Sequence, residues 1–135
     1  MDKASIAGLT ATLHHYLRGE ALTKVPVWRM IATPLPDIER RARRWARAIG
    51  APGQVVAGRS MIGGGSLPEE SLPSKLVAIA GEGAFVAALG RRLRTGDPPV
   101  VARIEHDALL LDPRTVRPDE DRALLAALQA ALASV

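Results

Sequence analysis

The side chains able to do chemistry in this chain are few in kind. There is no cysteine, which removes disulfides, thiolate metal sites and cysteine nucleophiles and fits a reducing compartment. The histidines, His14, His15 and His106, lack any ligand-like spacing with carboxylates, so no metal site is expected and surface positions are. What remains is a glycine loop, three lysines and many arginines. The run Arg59-Ser60-Met61-Ile62-Gly63-Gly64-Gly65-Ser66-Leu67-Pro68, followed by Leu72-Pro73-Ser74, combines consecutive glycines with rigid prolines. Glycine admits positive φ and close approach while proline fixes φ, so the segment reads as a shaped loop. Its exposed amides, at Ser60, Gly63, Gly64, Gly65 and Ser66, are candidates for the wall of an active-site mouth or a subunit contact. The plainer reading is an exposed link between two strands. A phosphate-binding P-loop is rejected, because that motif requires a lysine, a Ser/Thr and then a helix where this chain continues Ser66-Leu67-Pro68.

Arginine dominates the remaining polar chemistry, and the net charge of +4 favours polyanionic partners. Between Pro36 and Ile49 the apolar positions Ile38, Ala42, Trp45 and Ile49 recur at helical spacing, with Arg40, Arg41, Arg43, Arg44 and Arg47 over the rest of the surface. Guanidinium pairs bidentately with phosphate, which makes Arg40, Arg43, Arg44 and Arg47 candidate RNA contacts; a solvated or salt-bridged face is the alternative. Trp28 and Trp45 sit among apolar residues and read as core or interface anchors, not base-stacking platforms. Arg114, two places after Asp112, reads as half of a structural ion pair.

These residues must be positioned by a chain of 135 residues, 47% of them apolar but only 3% aromatic, so the core is built from Leu, Val, Ile and Ala. No apolar stretch approaches the roughly 20 residues of a membrane span, and the N-terminus lacks a signal-peptide layout; a soluble, cytoplasmic protein is expected. Asp2 can cap a first helix running to about Arg18, with Ile6, Leu9, Leu13 and Leu17 along one side. Pro26 suits the first turn of a short helix, and the arginine-rich helix stops at Gly50-Ala51-Pro52-Gly53. Residues 54–59 and 75–80 read as strands on either side of the glycine loop, 81–94 as a helix with Phe85, Val86, Leu89 and Leu93 on one face, and 100–105 with 108–111 as a hairpin around His106-Asp107. A last helix starts at Pro118 and carries Leu124, Leu125, Leu128 and Leu132; Pro113 makes strand continuation past Leu111 doubtful. The order ββα then ββα predicts an α+β fold, an antiparallel plait with helices on one face. The expected division is 1–33 for the N-terminal and connecting helices and 34–135 for the α/β domain.

In the order and spacing of its motifs the chain resembles the C-terminal part of bacterial L-seryl-tRNA(Sec) selenium transferases. The resemblance runs nearly end to end: Asp2-Lys3 opening an Ala/Leu-rich helix through Tyr16-Leu17, Val25-Pro26-Val27-Trp28-Arg29-Met30, Gly63-Gly64-Gly65-Ser66-Leu67-Pro68 with Leu72-Pro73-Ser74, Pro98-Pro99-Val100-Val101-Ala102-Arg103-Ile104, and Leu111-Asp112-Pro113-Arg114-Thr115-Val116. It implies the small domain of an aspartate-aminotransferase-type pyridoxal-phosphate enzyme, with about four strands and flanking helices. It further implies conversion of seryl-tRNA(Sec) to selenocysteinyl-tRNA(Sec) with selenophosphate, in a large homo-oligomeric ring, the cofactor serving as electron sink. The lysine that holds the cofactor covalently would lie upstream, because none of Lys3, Lys24 and Lys75 matches its position; no catalytic residue is then expected in this segment, and the segment alone is expected to be inactive. Arg103 resembles the small-domain arginine that reaches toward the carboxyl end of the substrate, where an aminoacyl ester would offer a carbonyl or a nearby phosphate. Its plainer role is a strand arginine facing solvent or Glu105. Two other classes stay open: a pyridoxal-phosphate lyase or transferase acting on a small amino sugar or amino acid, and a freestanding tRNA- or protein-binding module.

Overall fold

The computed structural model describes residues 2–63 and 70–134. Their contacts divide the chain into two units, 1–34 and 35–135. In the first, helix α1 (Lys3–Leu17) begins where the Asp2 carboxylate accepts the Ser5 main-chain N–H at 2.8 Å, satisfying one of the free donors of a helix start. Two shorter helices follow, α2 (Ala21–Lys24) and α3 (Pro26–Ala32), the latter with Pro26 in its first turn. Helix α1 buries no residue, and Ile6, Leu9 and Leu13 stay about half exposed. Trp28 is also partly exposed, its indole N–H donating to the Tyr16 hydroxyl.

The second unit is the α+β fold the pattern predicts. Helix α4 (Leu35–Ile49) precedes the strands β1 (Gly53–Met61) and β2 (Ser71–Ala80), then come helix α5 (Gly83–Thr95), strands β3 (Arg103–Glu105) and β4 (Ala108–Leu111), and helix α6 (Asp121–Leu132). The four strands form one antiparallel sheet in the order β1-β2-β4-β3. Both β1 and β2 run further toward the glycine loop than their β-branched runs suggested, since Ser60 pairs with Leu72 and Met61 with Ser71.

Side chains alternate between sheet faces, so the register assigns each residue to a side. Val77, Ile79, Leu109 and Leu111 share one face and pack with Ala42 and Trp45 of α4, Val86, Leu89 and Leu93 of α5, and Leu124, Leu128 and Ala131 of α6. All three helices therefore cover the same face. The opposite face carries Val56, Gly58 and Ser60 from β1, Leu76 and Ala78 from β2, Leu110 from β4, and Arg103 and Glu105 from β3. At Gly58 the lack of a side chain is used: a Cβ there would come within 2.7 Å of Leu76 Cγ.

Two expectations need correction. The strand expected from Val100 begins only at Arg103, because the Val100 N–H donates instead to the Leu93 carbonyl at 2.7 Å, satisfying an acceptor left open at the end of α5. The arginine-rich helix is also no uniform guanidinium coat: Arg41 is buried, lies 5.4 Å from the Trp45 ring centroid, and donates to the Pro113 carbonyl at 2.5 Å and to Val116 at 3.0 Å. Its position one turn before Trp45 turns it toward the core, where four donors find fixed acceptors. The chain leaves the sheet after Leu111 into a 3₁₀ turn, Pro113–Thr115, as Pro113 foretells, and a second such turn, Pro118–Glu120, leads into α6.

Candidate functional site

The helix-free face of the sheet holds the residues with substrate-facing potential. Arg103 stands opposite Leu110, which stands opposite Ala78, and this places its guanidinium on the open side. There it pairs with Glu105, two residues along the same strand face, at 2.9 Å. The pair is nearly half exposed on both sides, so solvent screens it and its contribution to stability is small. Ser60 lies on the same face, and a cavity of about 230 Å³ is lined by both Ser60 and Arg103, with Leu76, Leu110, Asp112 and Val116. Two residues chosen from separate motifs, 43 positions apart (103 minus 60), thus meet at one depression.

Asp112 organises the base of this cavity. Its carboxylate accepts the Ser60 hydroxyl, the Ser74 hydroxyl at 2.9 Å, and the Arg114 main-chain N–H at 2.9 Å. One acidic side chain therefore ties together the end of β1 and the first half of β2, on either side of the glycine loop, and the exit from β4. Arg114 meets Asp112 through its main-chain N–H and not through the expected side-chain ion pair, while its guanidinium donates to the Pro73 carbonyl at 2.7 Å. Burial pulls the Arg114 pKa below its ordinary value, with the Asp112 charge acting in the opposite direction. The Ser60 and Ser74 contacts of Asp112 were not foreseen. The available signal was Leu-Asp-Pro-Arg itself, since an aspartate before a turn tends to accept the N–H two residues on.

Gly63 is described at the end of the loop stem, with φ of 130°, a region glycine occupies without strain. Gly64, Gly65 and Ser66 lie outside the described residues. The four α4 arginines do not join the Arg103 cavity. Arg40 pairs with Asp37 at 2.8 Å, Arg43 with Glu39 at 2.6 Å, and Arg44 with Asp121, leaving Arg47 exposed in the last turn. Asp121 binds the buried Arg41 as well, at 2.5 Å. Burial pushes the Asp121 pKa up, but hydrogen bonds from Arg41 and Arg44 outweigh it and hold the carboxyl below its ordinary value. This cluster is a structural joint between α4 and α6.

Lys75 stands opposite Ala57, on the helix-bearing face of the sheet away from Arg103, and no lysine lines either cavity that contains Arg103. Lys3 and Lys24 belong to the first unit. Among the described residues no cluster of three or more His, Asp or Glu is arranged to hold a metal ion, and no helix is long and apolar enough to cross a membrane.

The fold and the cavity define an α+β domain with one sheet face covered by α4, α5 and α6 and an exposed arginine on the other. The chain belongs to the L-seryl-tRNA selenium transferase family, whose model matches residues 1–117. It is 42% identical over 98% of its length to the L-seryl-tRNA(Sec) selenium transferase of Nitratidesulfovibrio vulgaris, 39% over 98% to that of Desulfovibrio desulfuricans, and 40% over 96% to that of Geotalea uraniireducens. It spans 30%, 30% and 29% of those three proteins, respectively.

Proposed function

We propose that this chain is the C-terminal part of a pyridoxal-phosphate-dependent transferase that converts L-seryl-tRNA(Sec) to L-selenocysteinyl-tRNA(Sec) with selenophosphate, acting in the cytoplasm as a large homo-oligomeric ring. The observation that carries this reading is identity of about 40% along almost the whole chain to relatives that bear that activity in their names. Residues 1–33 would then join this domain to the rest of the enzyme, and residues 34–135 would form one wall of its active site. The cofactor supplies the electron sink for the chemistry at the seryl group. Because none of Lys3, Lys24 and Lys75 matches the position that the family resemblance implies for the covalent lysine, that lysine is assigned to another part of the protein, and the isolated chain is not a catalyst.

What this chain contributes is placement. Arg103 is carried by a strand on the open face, where its donors can reach the ester carbonyl or a terminal phosphate of the aminoacylated tRNA. Ser60, Gly63, Gly64, Gly65 and Ser66 border the same entrance. In the complete enzyme Arg103→Lys is expected to lower turnover by about tenfold or more with little change in melting temperature, since a point charge replaces a planar fork. Unchanged kinetics would remove Arg103 from the site.

A further inference from the structure

Several of the described arginines have no side-chain partner: Arg18 and Arg29 belong to the first unit and Arg122 to the first turn of α6, while Arg47 lies in the last turn of α4 and Arg91, Arg92 and Arg94 in the C-terminal half of α5. Among the described residues the side chains of Arg47, Arg91, Arg92 and Arg94 make no hydrogen bond or ion pair, and all four are exposed. Two contacts set the ends of α4 and α5 against the C-terminal half of α6. The Gln129 side chain of α6 donates to the Ala48 carbonyl at 3.0 Å, which sets the last turn of α4, with Arg47, against the C-terminal half of α6. The last turn of α5 borders that same half from its other side, across a cleft of about 290 Å³ lined by Arg92, Thr95, Asp97, Ala127, Ala130 and Ser134. Helix α6 itself carries no charged side chain after Arg122.

Charge bookkeeping separates two explanations for this cluster. Cations are favoured at helix C-termini, each worth roughly half an elementary negative charge. Three such ends, about one and a half charges, do not balance four arginines against the one carboxylate of the cleft, Asp97. Arg91 and Arg94 are also spaced i and i+3, a like-charge arrangement that costs a few tenths of a kcal/mol. A surplus of unpaired guanidinium groups on two helices flanking a neutral third is a surface for an extended anion, and the planar fork favours phosphate.

We propose that Arg47, Arg91, Arg92 and Arg94 form a phosphate-contacting surface for RNA at this end of the domain. The choice of RNA rests on the proposed function, because the relatives are named for a tRNA substrate. The paired arginines Arg40 and Arg43 precede Arg47 on α4 by about two turns and one turn, their charges taken up by Asp37 and Glu39.

The test is fluorescence anisotropy of this chain with a labelled tRNA(Sec) transcript at 50 and 200 mM salt. The wild-type chain is expected to bind more weakly at the higher salt, because phosphate contacts release counterions. R91Q/R92Q/R94Q is expected to bind about tenfold or more weakly at low salt, with a salt slope shallower by about two, whereas R40Q/R43Q binds as wild type. R47Q/R92Q, drawn from two helices, serves the same purpose if the triple variant melts early. The proposal is overturned if the wild type shows no salt-dependent binding, if the depleted variants keep wild-type affinity and slope, if R40Q/R43Q is weakened as much as they are, or if the chain binds anionic lipid vesicles and not the transcript. RNA binding alongside a silent Arg103→Lys would sink the active-site reading alone; a damaging Arg103→Lys without RNA binding here would sink this surface alone.

Discussion

Asp121 and Arg41 show how far a single side chain can depart from the role its sequence position suggests. Both are about nine-tenths buried as side chains, and each supplies the other's charge. Asp121→Asn leaves the Arg41 cation buried without its counter-charge and is expected to cost about 3 kcal/mol at pH 7, read from urea midpoints. The folded pKa of Asp121 lies below its ordinary value of 3.8, so its stabilisation is complete above about pH 4 and is lost as pH falls through the lower folded value. The gap between wild type and Asp121→Asn should therefore narrow toward pH 3, and a constant gap would contradict the assignment. Asp112→Ala tests the second cluster: the Ser60 and Ser74 hydroxyls lose their acceptor, at an expected cost of about 1–3 kcal/mol in thermal unfolding.

At the scale of elements, the hairpin between β3 and β4 turns on His106 and Asp107, both at positive φ, 50° and 55°. Two-residue hairpins require such angles, which non-glycine residues adopt at a cost. Asp107→Gly is accordingly expected to raise stability by about 0.5 kcal/mol, seen as a higher melting temperature. Gly58 should behave in the opposite sense. By propensity alone Gly→Ala in a strand stabilises, but the Leu76 side chain occupies the space of the new methyl group. Gly58→Ala is expected to lose about 1–3 kcal/mol, and Leu76→Ala should make it less harmful. A neutral or stabilising result would show that Leu76 moves aside freely.

At the scale of the whole molecule, Arg103 is exposed on the sheet face that carries none of α4, α5 and α6, and no lysine lines either cavity that contains it. Mixed with pyridoxal phosphate, the chain is expected to give no borohydride-reducible adduct beyond that of ordinary surface lysines; a saturable adduct absorbing in the visible would place a cofactor site within it. The exposed apolar side of α1, with Ile6, Leu9 and Leu13, belongs to the same picture. Such surface is normally covered in the assembled protein.

Helical and strand periodicity, capping by Asp2, the halt at Gly50 and the turn at Pro113 were all legible in the sequence, because each depends on residues within a few positions of one another. The α+β class and the motif order that marks the family were legible for the same reason. Which arginine is buried was not. Arg41 sits one turn before Trp45, which turns it inward, but the acceptors that allow a guanidinium to be buried there, from Asp121, Pro113 and Val116, arrive from over 70 positions away. The start of β3 likewise depended on a long-range competition, the Val100 N–H being taken by the end of α5 before the sheet could use it. The shared cavity of Ser60 and Arg103, and the seating of the ends of α4 and α5 against α6, are products of register and helix packing: a one-residue shift in a strand would send its side chains to the other face, and local pattern carries no record of which distant partner sets that shift.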